Sequence, residues 1–322
     1  MTSLGGFPSY TRYVSPLRYP GGKARMAPFL GEMFWVQSSL LDVEVLVEPF
    51  AGGAGAGLTL LAADVIDSLW IGERHPALAA FWRSVIADAG RVADIVADLT
   101  PGIDLYRSSL DVLSALDDGA TVSDVEAGVA AFVVNRCSHS GIVHPRSGPT
   151  GGWQQQGRWT VASRFDPAAL SERIGALAPL THSMLFCGPS AVEIIDGLDG
   201  SGVEHEVLLL VDPPYIGQGN RLYRYGMTGE EHAALSRSLN ATSARWVLTY
   251  DDHPDVPETL YPQRRVLGFT TAYTTTGRKR CSEYAVFSAN AVAPQADVPV
   301  MLNGKSWWVR NVDAEWDEHD GA

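Results

Sequence analysis

Four consecutive residues, Asp212, Pro213, Pro214 and Tyr215, carry the clearest chemistry in this sequence. Each prolyl ring fixes φ and removes a backbone donor, so the Pro213 carbonyl is rigidly placed beside the Asp212 carboxylate, and Tyr215 adds a flat face. Asp212 and the Pro213 carbonyl only accept hydrogen bonds. They suit an amino group on a planar ring: two acceptors hold its two protons, the tyrosine stacks on the ring, and the nitrogen lone pair points outward. The four residues follow Val207-Leu208-Leu209-Leu210-Val211, an apolar, β-favouring run that reads as a buried strand ending at a site. The bland alternative is a strand, a proline turn and Asp212 as a helix cap.

Other stretches hold candidate binding residues. Leu17-Arg18-Tyr19-Pro20-Gly21-Gly22-Lys23 is a turn with adjacent glycines before a helix expected over about 24–38. Glycines let backbone approach a ligand closely and Lys23 could meet a carboxylate there, although a structural turn explains the glycines equally well. Glu48-Pro49-Phe50-Ala51-Gly52-Gly53-Ala54-Gly55-Ala56-Gly57 joins a strand expected at 43–47 to an apolar helix through about 63. Such a turn is how open α/β sheets cradle a nucleotide-like ligand at their carboxyl edge. There is no Gly-Lys-Ser/Thr phosphate loop and no dinucleotide glycine spacing, so both of those readings lose ground. Glu73 ends a second expected strand, 68–72, where such folds hold a ribose hydroxyl pair; a solvated cap ahead of Pro76 is the alternative.

The loop 137–165, flanked by Asn135 and Arg136, holds Arg146, Arg158, Arg164, His139, His144, Trp153, Trp159 and glutamines at 154–156. Arginine and glutamine can read guanine and adenine edges, and aromatic rings can stack on bases. A long acid-free loop inside a compact protein is usually functional or disordered. Its histidines lack metal-ligand spacing and read as phosphate contacts or loop polars. The loop 217–226 adds Arg221, Tyr223, Arg224 and Tyr225, and Arg221 and Arg224 join Arg136, Arg146, Arg158 and Arg164 as candidate DNA contacts.

Positioning these residues takes an α/β scaffold. Further strands are expected at 184–187, 245–249 and 266–269, then a hairpin of 270–276 and 282–288 around Gly277-Arg278-Lys279-Arg280. Helical periodicity at 76–88, 91–98, 104–117 and 123–136 breaks the alternation, so a helical insertion is placed at 88–181, within a sheet domain made of 1–87 and 182–290. Ser123 with Glu126, Ser190 with Glu193 and Thr228 with Glu231 read as capping boxes, and Asp166-Pro167 as a helix start. Residues 291–322 form an acidic tail with Trp307-Trp308, and its final dozen residues are expected to be mobile.

With 322 residues, 46% of them hydrophobic, the chain can bury a large core without staples. Its three cysteines have no ligand spacing, which indicates neither a disulfide framework nor a zinc site and fits a reducing cytosol. No apolar run is long enough to span a bilayer, so a cytoplasmic protein with no membrane and no metal is expected. The net charge of −13 argues at first against a polyanionic partner. Yet residues 1–31, 127–165 and 259–282 contain no Asp or Glu and hold 13 of the 24 basic residues. Such segregation could build a basic groove on an acidic body; chance is the alternative.

Taken in order, Tyr19-Pro20-Gly21-Gly22-Lys23, Val47-Glu48-Pro49-Phe50-Ala51-Gly52-Gly53, Asn135-Arg136 with Gly141 and Arg146 downstream, Asp212-Pro213-Pro214-Tyr215 and the stretch Ser282 to Asn290 resemble the Dam-like class of DNA adenine methyltransferases. The likeness covers about 17–290. It implies a Rossmann-like methyltransferase sheet binding S-adenosylmethionine, with a helical target-recognition insertion before the Asp212 strand. By position it implies that Tyr19, Gly22, Lys23, Glu48, Phe50, Gly52 and Gly53 surround the methionine part of the cofactor. Glu73 would take the ribose, Asp212 would border the cofactor, and Asp212, Pro213, Pro214 and Tyr215 would hold the N6 amine of an adenine flipped from double-stranded DNA. A restriction or defence-system partner is compatible with that reading. Two positions depart from the pattern: Ala54 stands where many relatives have glycine, and Pro189 where an acid commonly contacts the cofactor's adenine. The absence of a Pro-Cys pair speaks against cytosine carbon-5 chemistry, and Asp212 stands where cytosine amino-methylation usually has serine. An RNA or other amine methyltransferase, or a non-catalytic DNA-binding protein that kept the fold, are the competing readings.

Overall fold

Eight strands form one sheet in the computed structural model, which describes residues 14–19, 22–217, 226–273, 279–292 and 306–310. They are β1 (Val45–Glu48), β2 (Ser68–Gly72), β3 (Met184–Gly188), β4 (Val207–Val211), β5 (Arg245–Asp251), β6 (Arg265–Tyr273), β7 (Lys279–Phe287) and β8 (Ser306–Arg310). Their order is β3-β2-β1-β4-β5-β7-β6-β8. β1 to β5 are mutually parallel, and β7 is inserted antiparallel between β5 and β6. β1 and β4 are buried along their whole length, as central parallel strands covered on both faces must be.

Successive strand side chains point to opposite faces. Leu46, Leu208 and Leu210 enter one apolar cluster, while Val45, Val47, Val207, Leu209 and Val211 enter the other. The helices are α1 (Ala27–Leu41), α2 (Gly55–Leu61), α3 (Pro76–Ala97), α4 (Ile103–Asp117), α5 (Asp124–Cys137), α6 (Pro167–Gly175), α7 (Ala191–Leu198) and α8 (Gly229–Ala241). α1 to α6 contribute to the first cluster, and α7 and α8 to the second. The protein is thus a mixed α/β fold with helices on both faces of a mostly parallel sheet.

Between β2 and β3 the chain makes helices and loops but no strand, with one isolated bridge between Ser138 and Pro149. α3 kinks at Asp88 (φ −162°, ψ 86°), between the two helical segments read from periodicity. α3 packs on α5 and α6, with Phe81 stacked on Phe132 at 5.5 Å between ring centroids. Gly128 permits that approach, since a Cβ there would lie 2.7 Å from the Phe81 Cα. The apolar cluster continues from the sheet face through Trp82, Tyr106, Phe132 and Phe165, so these helices share the sheet's core.

Four local expectations change. The strand at 245–249 runs on to Asp251, and 266–269 joins the following residues as one strand, β6, paired with β7 as far as Tyr273 opposite Lys279. The turn at 274–278 lies outside the described residues, as do 311–322. The tail also supplies β8, where Trp307 covers Gly268; a Cβ on Gly268 would come 2.3 Å from the indole. A five-residue aromatic run has no strand signature without its partner. Thr228 and Glu231 make a full capping box, whereas Ser123 and Ser190 each accept only the amide of Glu126 and Glu193. Among the described residues no helix is long and apolar enough to cross a membrane.

Ala54, the residue before α2, is buried at φ 46°, ψ 34°. The left-handed region costs a residue with a Cβ about 1–2 kcal/mol, against about 0.5–1 kcal/mol for the extra freedom glycine loses on folding. Ala54→Gly is therefore expected to stabilise the protein by about 0.5–1 kcal/mol, read as a higher urea midpoint at unchanged slope. A lower midpoint would mean that packing of the Ala54 methyl outweighs the strain.

Candidate active site

An open parallel sheet forms a crevice at its carboxyl edge where strand order reverses. Here that point lies between β1, which leads outward to β2 and β3, and β4, which leads outward to β5. Glu48 ends β1, Glu73 follows β2, Gly188 ends β3, Asp212 follows β4 and Asp251 ends β5. Residues far apart in sequence therefore line one edge.

Around Asp212 the geometry is tight. Lys23 opens the 3-10 turn Lys23–Met26, and its Nζ lies 2.8 Å from Asp212 Oδ1 and 3.7 Å from Glu283 Oε2. The same ammonium donates to the Tyr215 hydroxyl at 2.7 Å and sits 5.1 Å from that ring's centroid. Thr249 Oγ1 donates to Asp212 Oδ1 at 2.7 Å. It is in place because β4 and β5 are parallel, with Val211 opposite Leu248. Oδ1 thus has two donors, and Oδ2 has none among the described residues. Burial pulls the Lys23 pKa down, but Asp212 and Glu283 outweigh it and raise the pKa, so the buried amine stays charged.

The chain beyond Asp212 is also held. The Asp251 carboxylate accepts the amides of Ile216 and Gly217 at 3.2 and 2.9 Å, fixing the exit from Tyr215. Pro213 is buried and Pro214 half-buried. The Tyr215 ring leans on Tyr250 at 6.4 Å, and the Tyr250 hydroxyl bonds His232 Nδ1 at 2.7 Å.

The glycine-rich turn packs against Tyr19. Gly52 has φ 50°, and a Cβ there would come 2.6 Å from the Tyr19 ring; at Gly53 it would lie 3.0 Å from the Tyr19 Cβ. The Gly52 amide donates to Glu73 Oε2 at 2.9 Å, and its carbonyl accepts from Trp82 Nε1 at 2.9 Å. Glu73 Oε1 takes the His75 amide at 2.7 Å, and Glu48 Oε1 takes the Gly57 amide at 2.6 Å. Burial pushes Glu48 up to about 8, with the Gly57 amide opposing and the Asp212 charge adding. Burial also pushes Glu73 up to about 7 against the amides of His75, Gly52 and Arg74. Both carboxyls are poised to ionise when a cation arrives. Phe50 packs half-buried against the second cluster. Gly22 is exposed, its amide on the Tyr19 carbonyl at 3.1 Å, and Pro20 and Gly21 lie outside the described residues.

The arginines sort into groups. Arg136, near the end of α5, lies against Arg18 and the N-terminal segment, and it feels the charges of Arg164, ending the turn Val161–Arg164, and of Arg173 on α6. Asn135 clamps this region: its side chain exchanges two 2.7 Å bonds with the Arg18 backbone and donates a third to the Gly141 carbonyl at 2.7 Å. Arg146 is exposed and outside this group; Arg158 is exposed and stacks over Trp159 at 5.3 Å. Arg221 and Arg224 lie outside the described residues.

Reading the sequence missed Thr249, Asp251, Glu283, Arg18 and Arg173. Thr249 and Asp251 end a buried strand as Asp212 does, and Glu283 is an acid within the apolar strand Lys279–Phe287; both were available signals. No family model matches the chain and no curated protein matches it, so the chemistry is argued from the geometry of Asp212 and its neighbours.

Proposed function

We propose that this protein is a site-specific DNA adenine methyltransferase of Rossmann-like methyltransferase fold, transferring a methyl group from S-adenosylmethionine to the N6 amine of a flipped adenine. The observation that carries the reading is the division of labour on Asp212: Lys23 and Thr249 occupy Oδ1, and among the described residues Oδ2 is left as an acceptor in the same four-residue stretch as the Pro213 carbonyl and Tyr215. The helical stretch 88–181, with its acid-free loop 137–165, serves as the target-recognition insertion in this reading.

The residues at the sheet edge fit the cofactor. Glu48 and Glu73 offer buried carboxyls to an ammonium and a ribose diol, and Tyr19 closes the glycine turn. At Gly188 a Cβ would meet nothing within 4 Å, which leaves room for a base, although Pro189 supplies no acid to it. When bound, S-adenosylmethionine supplies a sulfonium methyl that an amine lone pair takes up while the C–S electron pair stays on sulfur. A paired adenine cannot reach such a methyl and must be unstacked. Tyr215 provides the face on which the base lies. Asp212 Oδ2 and the Pro213 carbonyl accept its two amine protons and so aim the lone pair, and Oδ2 then takes the proton that the methylated amine sheds. Lys23, Thr249 and Asp251 keep these acceptors in register, so positioning and charge complementarity do most of the work.

The test is incubation of the protein with labelled S-adenosylmethionine and separate DNA, RNA and protein substrates. Label on adenine N6 of DNA is the expected result. Label on RNA or protein would move the substrate class, and DNA binding without label would favour a non-catalytic protein. Tyr215→Ala is expected to weaken base binding by about 1–3 kcal/mol, while Tyr215→Phe keeps the ring, loses the bond from Lys23, and should be mild. Equal losses in KM for the two variants would shift the role to the hydroxyl.

A further inference from the structure

We infer that Arg18, Arg136, Arg164 and Arg173 form one phosphate-binding site, taken by a backbone phosphodiester of duplex DNA beside the flipped nucleotide. This assignment rests on the methyltransferase reading for its ligand, and on geometry for its existence.

The Arg18 guanidinium reaches the end of α5 and the Arg136 guanidinium reaches back to the N-terminal segment, while the turn Val161–Arg164 packs on α5 and the charges of Arg164 and of Arg173 on α6 bear on Arg136. Among the described residues no carboxylate pairs with any of them. Two are pinned by carbonyls. Arg18 donates to the carbonyls of Arg136 and Ser138 at 3.0 and 3.2 Å, and Arg136 to that of Pro16 at 3.4 Å. The Arg136 Nε, in contrast, is buried and has no hydrogen-bond partner among the described residues. A buried donor left unmade costs free energy, as do like charges without a counter-charge. Burial and the charges of Arg173, Arg18 and Arg164 lower the Arg136 pKa to about 10, which still leaves it charged at neutral pH. An anion bound at the centre would satisfy the Nε and relieve the repulsion together, and guanidinium forks match phosphate oxygens in geometry.

The position of the group favours a backbone phosphate over free phosphate. Arg18 precedes Tyr19, whose ring lies on Gly52 of the cofactor turn, and Asn135 ties the Arg18 backbone to the end of α5. A phosphate held here is one residue along the chain from the wall of the pocket. Arg18 and Arg173 thereby join the nucleic-acid surface, and the neutral buried Asn135 is the positioning residue that holds its two halves together.

The experiment uses the full chain without cofactor and measures inorganic phosphate binding calorimetrically, then salt-dependent affinity for duplex DNA and for RNA. Arg164→Gln and Arg173→Gln are the test variants, because neither residue is fully buried, and Arg237→Gln on α8 is the comparison. Expected are saturable phosphate binding by the parent, its loss in both test variants, and a duplex log–log salt slope about one unit smaller in each, with Arg237→Gln like the parent. Parental phosphate binding and slope in both test variants would overturn the site. Loss of phosphate binding with unchanged duplex slope would overturn the backbone assignment in favour of free phosphate, and a slope change on RNA alone would overturn the choice of DNA. Absence of methyl transfer alongside the expected slopes would remove the methyltransferase reading and leave the phosphate site standing.

Discussion

Asp212→Ala should abolish methyl transfer, with single-turnover rates falling at least about 100-fold, while S-adenosylmethionine binding stays measurable. The amine loses Oδ2 and keeps only the Pro213 carbonyl, whereas the bonds of the glycine turn to Glu48 and Glu73 are untouched. Asp212 also has a structural duty, because Lys23 is 8% exposed and would lose its nearest carboxylate, keeping Glu283 at 3.7 Å and the Tyr215 hydroxyl at 2.7 Å. Breaking a buried ion pair can cost about 3–5 kcal/mol, so the thermal midpoint of each variant must be measured beside its rate. Asp212→Asn separates the duties: it keeps the shape and the carbonyl acceptor but removes the charge. A folded Asn variant is expected to retain cofactor affinity and still lose most of its turnover. Near-parental turnover in that folded variant would sink the assignment of the Asp212 charge as the amine's proton acceptor.

The second large effect is on pH. Stability of the ligand-free protein should fall as pH rises from about 5 to about 8. In the folded state Glu48 is raised to about 8 and Glu73 to about 7, from an ordinary value of 4.5. Between the unfolded and folded values the native state binds more protons than the unfolded chain, so the unfolding free energy declines with pH. The slope is at most about 1.4 kcal/mol per pH unit for each group, and the contribution is complete below the unfolded value and gone above the folded one. A bound cation reverses the preference, since it favours the ionised carboxylates, so cofactor affinity should rise over pH 6 to 8 with release of protons. Glu48→Gln cannot ionise and should flatten both profiles while lowering affinity at pH 8. Urea midpoints across pH, and calorimetry in buffers of different ionisation enthalpy, measure the two limbs. A parental pH slope in the Glu48→Gln protein would assign the effect to other groups.

What the sequence determined by itself was local. The strand Ser68–Gly72 was legible to the residue because apolar runs and turn residues bound it, and α6 starts at Pro167 because Asp166 caps it through the Ala169 amide. The break near residue 88 and the end of β4 at Asp212 were equally visible, since each depends on neighbours in the chain. Tertiary structure decided which side chains meet. Lys23 reaches Tyr215 across 192 positions, and Arg18 reaches Asn135 across 117, separations over which no periodicity operates. Thr249 and Glu283 join Asp212 and Lys23 only because β5 lies beside β4 and β7 beside β5, a pairing set by which apolar faces bury together. The same holds for the arginines: four in one acid-free window looked alike in sequence, and folding gathered Arg136 and Arg164 with Arg18 and Arg173 while leaving Arg146 and Arg158 outside the group. Composition placed the positive charge in segments, but only packing of the N-terminal segment against the end of α5 gave that charge a location.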